Sequence, residues 1–170
     1  MAITTETIKE LRDKTGISVM QCKKALEEAG GDMEKALAIL REKSKDMASK
    51  KADREFGAGV VQSYVHSSAT IGAMVELVCE TDFVSKNQEF VTLARDIAMH
   101  ITAAQPEFLK VADASAEAQQ DPSFKDRVLL EQPFVKNPDI TINGLIDAAM
   151  QKFGEKVEVA RFVRFSVLEK

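Results

Sequence analysis

The sequence is poor in metal-binding side chains, with two cysteines and two histidines in 170 residues. Cys22 and Cys79 cannot form a metal site alone, and neither His66 nor His100 has a carboxylate or thiol at ligand spacing. Two small buried hydrophobes are the expectation for the thiols. Glycine-rich phosphate loops are missing, since neither GxGxxG nor GxxxxGK occurs. There is no nucleophile elbow and no metalloprotease motif. No catalytic residue, cofactor or metal is therefore expected. No apolar run approaches the length of a membrane span. The start, Met-Ala-Ile-Thr-Thr-Glu, has neither a basic stretch nor an apolar core, so no secretory signal is expected and the thiols should stay reduced. A net charge of −4 speaks against long-range attraction to nucleic acid.

What is present is an ordinary globular composition, enough for one core or for one core plus a small satellite. Ile8 and Leu11 share one face of a first helix that Gly16 ends. Ser18-Val19-Met20-Gln21 reads as a capping box, with Ile17 and Cys22 placed as a hydrophobic staple. Cys22, Ala25, Leu26 and Ala29 trace a second helix, stopped by Gly30-Gly31. Asp32 caps a third, with Met33, Ala36, Leu37 and Leu40 on one stripe. Residues 1–43 thus read as a three-helix docking module. From Ser44 to Phe56 apolar periodicity fades and charge dominates, which reads as a linker, helical in part. Lys50, Lys51 and Arg54 form a basic cluster there, but Asp46, Asp53 and Glu55 are interleaved and no stacking aromatics recur.

Residues 57–170 read as an α+β core domain. Val60 to His66 and Ile71 to Cys79 are hairpin partners around the turn Ser67-Ser68-Ala69-Thr70. A helix follows with Phe90, Leu93, Ala94, Ile97 and Ile101 on one side, ended by Gln105-Pro106. His100 lies on it and reads as structural. Val111 to Pro122 is small and polar, a loose helix or an ordered loop, and Phe124 to Leu130 a short helix closed by Gln132-Pro133-Phe134. Thr141 caps a helix carrying Ile142, Leu145, Ile146 and Ala149, ending before Gly154, and Val157 to Leu168 is a last strand. Three antiparallel strands covered by helices on one face are expected.

The stretch Glu80-Thr81-Asp82-Phe83-Val84-Ser85-Lys86-Asn87 stands out. It sets a large apolar residue, Phe83, between a strand end and a helix start, with Ser85 and Asn87 as available N-caps. A turn anchored at both ends can present Phe83 outward, although a lone Phe more often plugs a core.

In combination these segments resemble the translation elongation factor Ts family. Leu11-Arg12-Asp13-Lys14-Thr15-Gly16 followed by Cys22-Lys23-Lys24-Ala25-Leu26, continued by Gly31-Asp32-Met33-Glu34-Lys35-Ala36, is similar to the family's ubiquitin-associated-like module. Cys79-Glu80-Thr81-Asp82-Phe83-Val84 is similar to its core signature, and Ile97-Ala98-Met99-His100 and Gln132-Pro133-Phe134-Val135 to two further patches. The resemblance implies a guanine-nucleotide exchange factor for elongation factor Tu, a non-enzyme that loosens GDP and its magnesium and stabilises the empty GTPase. It implies that Thr81, Asp82, Phe83 and Val84 disturb the partner's magnesium site. It implies that His66, in a Tyr-x-His patch with Tyr64, Ile71 and Gly72, approaches the phosphate-binding loop. It gives Leu11 and Met20 apolar contacts with the GTPase domain. Two departures stand: the turn 67–70 lacks the glycines and arginine commonly seen, and Ile17-Ser18-Val19 replaces a smaller run. Longer family members carry two sheet-bearing halves, and this chain has room for one, so a homodimer through the core is expected. The place of action would be the bacterial cytoplasm or an organellar matrix or stroma. The residues alone leave a second class open, a generic adaptor for peptide or ubiquitin-like partners; RNA binding is set aside by the acidic charge. An exposed Asp82-Phe83 wedge separates the first class from the second, because an adaptor has no use for it.

Overall fold

Thr4 opens the first helix of the computed structural model, which describes residues 3–169. Its hydroxyl accepts the Thr7 N–H, and Gly16, at φ +68, closes α1 (Thr5–Thr15). Ser18 caps α2 (Val19–Glu28) by accepting the Gln21 N–H. The Gln21 side chain meets the Ser18 hydroxyl at 3.3 Å, where the expected box would have it reach the N-cap backbone. Asp32 caps α3 (Met33–Lys50) through the Lys35 N–H. Leu11, Ile17, Cys22, Ala25, Leu26, Ala36 and Leu40 close the core of this bundle.

The expected linker departs most from the sequence reading. Helix α3 continues through Lys50, so the first half of 44–56 is helical. Its inward positions carry on at Ser44, Met47, Ala48 and Lys51, a helical spacing that the polar Ser44 and Lys51 disguise. Ser44 and Lys51 are buried. Met47 and Ala48 pack on the core-domain cluster, and Gln151 hydrogen-bonds the Ser44 hydroxyl. Ala148, on the sixth helix, belongs to the bundle's own cluster, and Asn137 donates to the Asp13 carbonyl at 2.8 Å. The bundle is therefore docked on the core domain.

The main sheet has the order β1-β2-β5, antiparallel throughout, from β1 (Ala58–Val65), β2 (Ile71–Cys79) and β5 (Val157–Ser166). A bulge shifts the β2–β5 register after Glu76. Ala73, Val75, Leu77 and Cys79 face inward with Val157 and Val159. Helices α5 (Gln88–Ala104) and α6 (Ile142–Phe153) cover that face with Phe90, Ala94, Ile97, Ile101, Ile142, Ile146 and Met150. Thr141 caps α6 and Gly154 ends it at φ +69, as expected. A small ladder of β3 (Pro133–Phe134) and β4 (Asn137–Thr141) was not foreseen. Before it, four 3₁₀ turns span Val111 to Glu131 around a minor cluster of Ala114, Phe124 and Val128.

His100 is fully buried beneath this ladder. Its Nδ1 accepts the Val135 N–H, which leaves Nε2–H to donate to the Gln132 Oε1 at 2.9 Å. Gln132 in turn donates to the Ala104 and Asp126 carbonyls. The imidazole is a structural tie, and burial holds its pKa below the ordinary histidine value against the Gln132 hydrogen bond.

Candidate partner-binding site

Strand β2 ends at Cys79, whose buried thiol donates to the Thr81 carbonyl at 3.2 Å. One helical turn, α4 (Asp82–Ser85), follows. On a turn this short the faces are fixed by what is anchored. Val84 and Ser85 are buried, and the Ser85 hydroxyl donates to the Asp82 carbonyl. Asp82, Phe83 and Lys86 are therefore turned out to solvent. Phe83 is 83% exposed. Asn87 then caps α5 by accepting the Glu89 N–H at 2.8 Å, so of the two expected caps Asn87 serves and Ser85 anchors.

Beside Phe83 the Asp82 carboxylate meets the Lys86 ammonium at 2.6 Å, which holds the carboxyl below its ordinary pKa. The exposed surface of the turn thus presents a ring flanked by a charged pair. Thr81 faces outward too, but its side chain gives α4 no cap; hydroxyl and N–H both go to Glu155.

Two of the sequence-derived site residues occupy other positions than expected. Val84 is buried, so it can act on a partner only by holding the turn. Leu11 is wholly buried among Ile17, Cys22, Ala25 and Leu26, because the face it shares with Ile8 points into the bundle. The apolar surface at the start of α2 is instead Met20, 70% exposed, and Val19, 52% exposed. The exposure of Val19 is not legible in the sequence, because a residue directly behind an N-cap can face either way.

His66 is exposed at the opposite end of the β1–β2 hairpin. Its N–H donates to the Ile71 carbonyl and its ring lies 3.5 Å from the Tyr64 hydroxyl. Eight residue steps of β2 separate the Ile71 end from Cys79, roughly 26 Å at 3.3 Å per step. The structure does not bring His66 and Phe83 together; one partner would have to span both ends of the hairpin.

The outer face of the sheet is uncovered. Across its rows lie Val65, Gly72 and Phe165, then Ser63, Met74 and Val163, then Val61, Glu76 and Arg161. Phe165 is 68% exposed, and Val61, Val65, Met74 and Val163 are also exposed. Among the described residues no helix is long and apolar enough to cross a membrane.

The family model described as elongation factor TS matches residues 2–123. The chain is 44% identical to elongation factor Ts of Carboxydothermus hydrogenoformans and 44% identical to that of Desulforamulus reducens, each over 98% of this chain and 90% of the relative. It is 43% identical to elongation factor Ts of Thermodesulfovibrio yellowstonii over 98% of this chain and 97% of the relative. The alignments with the first two run to 195 positions, more than the chain's own 170, so these relatives carry extra residues within the aligned span. With matches of this extent, the chain belongs to the elongation factor Ts family.

Proposed function

We propose that this protein binds elongation factor Tu in its GDP form and promotes GDP release by inserting Phe83, with Asp82 beside it, near the partner's magnesium and phosphate site. Membership of the family implies a nucleotide exchange factor for that GTPase in translation elongation. It acts by binding and makes or breaks no covalent bond. The observation that carries the finer reading is the exposure of Phe83 on a turn whose next two residues are buried. A ring in that position needs little further ordering, because Phe has only two side-chain torsions and its backbone is already fixed. An inserted ring displaces side chains that hold the metal's water shell, and the Asp82 carboxylate competes for the partner's hydrogen bonds. Exchange is then a shift of population toward the empty GTPase, which this protein must bind more tightly than the loaded one. Val19 and Met20 dock the helical module, and His66 contacts the phosphate-loop side of the same partner. The outer sheet face pairs two copies, giving a dimer that serves two GTPases. Such a factor works in the bacterial cytoplasm, or in the organellar matrix or stroma, and needs neither nucleic acid nor membrane.

Stopped-flow release of fluorescent GDP from elongation factor Tu tests this directly. Phe83→Ala is expected to keep the melting temperature within about 2 °C while its acceleration of GDP release falls about tenfold, about 1.4 kcal/mol of differential binding. Phe90, fully buried in the core, is the control: Phe90→Ala should cost about 3–5 kcal/mol of stability. Asp82→Ala should lose less activity than Phe83→Ala, most visibly at high magnesium. A Phe83→Ala protein that melts far lower yet exchanges normally in its folded fraction would show the wedge assignment to be wrong.

A further inference from the structure

A four-residue helical turn has no stability of its own, since its backbone order is repaid by hardly any internal hydrogen bonds. Something outside α4 must therefore set the direction of Phe83. Beside the burial of Val84 and Ser85, two reciprocal carboxylate contacts do so. Glu155, in the turn between α6 and β5, accepts the Thr81 N–H at 3.0 Å on one oxygen and the Thr81 hydroxyl on the other. Glu80, one residue before Thr81, accepts the Lys156 N–H at 2.6 Å. Each turn thus supplies a carboxylate to the other's backbone.

The same pair of turns is tied to the end of α3. The Arg54 guanidinium meets Glu80 at 2.9 Å, and the Lys51 ammonium lies 3.9 Å from it. Lys51 also donates to the Gly154 carbonyl. The Lys156 ammonium returns the contact, donating to the Ala52 carbonyl at 2.8 Å and the Arg54 carbonyl at 3.2 Å, and it lies 4.6 Å from the centre of the Phe56 ring. Burial pushes the Glu80 carboxyl up, but the Lys156 N–H and the Arg54 guanidinium outweigh it and leave the pKa below the ordinary value. Helix α3 spans 18 residues, about 27 Å at 1.5 Å per residue. Its first half lies in the bundle core and its end lies at this junction.

We infer that Glu155 and Glu80 are positioning residues for nucleotide exchange: they lock the Phe83 turn onto the α6–β5 turn and, through Lys51 and Arg54, onto the end of α3. The helical module and the wedge then meet the GTPase as one rigid unit. Binding energy gained at Val19 and Met20 is applied to the wedge without being lost in a hinge. This rests on the reading that Phe83 acts on the partner.

The test measures GDP release against concentration of the exchange factor, so that the maximum rate and the half-saturating concentration are read separately. Glu155→Ala should lower the maximum rate about fivefold or more and change half-saturation less than twofold. Glu155→Gln keeps one acceptor oxygen and should recover part of the rate. Amide exchange of residues 80–86 should quicken in Glu155→Ala and much less in Glu155→Gln. If Glu155→Ala also lowers the melting temperature by more than a few degrees, Glu155→Gln carries the comparison, and its maximum rate should lie below that of the unaltered protein. A Glu155→Ala protein with an unchanged maximum rate, alongside an impaired Phe83→Ala, would overturn the positioning role and leave the wedge standing. Equal activity of both variants and the unaltered protein would remove the wedge reading and this inference with it.

Discussion

Asp147 shows how much one residue's surroundings decide. It sits on α6 where two cavities meet, with Arg41 and Lys45 of α3, Lys110, Lys156 of the α6–β5 turn and Glu158 of β5 lining them, and Asp139 on the bundle side. Burial raises its carboxyl to about 6, with Lys45 pulling the other way, and the Asn143 amide is its hydrogen-bond donor at 3.2 Å. The sign follows from linkage. Between pH ~4 and ~6 the folded chain keeps a proton that the unfolded chain has released, so this group's contribution falls as pH rises through that window. Above pH ~6 the full cost is present. Asp147→Asn is therefore expected to gain about 1–2 kcal/mol at pH 7.5 and almost nothing at pH 3.5, after discounting for partial exposure. Urea unfolding at the two pH values checks it; equal gains at both would refute the assignment. His100 acts in the opposite sense. Burial lowers its pKa, so its cost appears as pH falls below about 6.5 and the unfolded chain takes up a proton that the folded chain refuses. Neither effect was legible in the sequence, because both depend on which side chains the fold brings around the group.

At the scale of elements, α3 connects the two halves of the molecule. The cluster built on Val75, Leu77, Phe90 and Ile97 closes mainly with residues after 57, while the bundle contributes Met47 and Ala48 to it and receives Ala148 in return. Removing residues 1–50 should leave the sheet folded but expose Ala148 and part of α6. About 1–3 kcal/mol of apolar burial is lost, a fall of several degrees in melting temperature. The truncated chain should also bind elongation factor Tu far more weakly, since Val19 and Met20 go with it; unchanged affinity by calorimetry would refute that. The sequence reading placed the β1–β2 hairpin, β5, α5 and α6 because their apolar residues recur at one clear period and their ends carry Thr141, Asn87, Gly154 or Pro106. It gave the end of α3 only as a linker helical in part and did not show its packing, because Ser44 and Lys51 occupy inward positions and hydrogen bonds replace apolar contact. It also missed β3 and β4, which are held by long-range partners that no local pattern announces. The candidate site was legible in Phe83, whose polar neighbours mark an exposed turn. Glu155 was not, since it lies 74 residues from Thr81 in the chain.

At the scale of the whole molecule, the sheet poses a problem that the single chain does not solve. Helices α5 and α6 cover one face only, and the outer face carries Val61, Val65, Met74, Val163 and Phe165 in neighbouring rows. Gly72, with no side chain, lies between Val65 and Phe165, and the Val65 side chain packs over it, 3.2 Å from where a Cβ would stand. Toward the other end the Arg161–Glu76 pair at 2.6 Å makes a charged margin. An apolar centre with a charged margin is the usual anatomy of a protein interface. The apolar row also continues past the strand, where the Val167 N–H donates to the Thr70 carbonyl and Val167 is exposed. Two such faces can stack about 10 Å apart as a sandwich. A stable interface typically buries about 1,600 Å² in total, so most of one sheet face from each copy would have to take part. Phe165→Asp places a charge at the centre of that face without disturbing the helix-covered side. Sedimentation velocity at micromolar concentration should give a dimer for the unaltered protein and a monomer for Phe165→Asp. The monomer should retain its helix and strand content and its stimulation of GDP release per chain, because Phe83 projects from another part of the molecule. A monomeric mass for the unaltered protein would show that this face is left open to solvent or to a different partner.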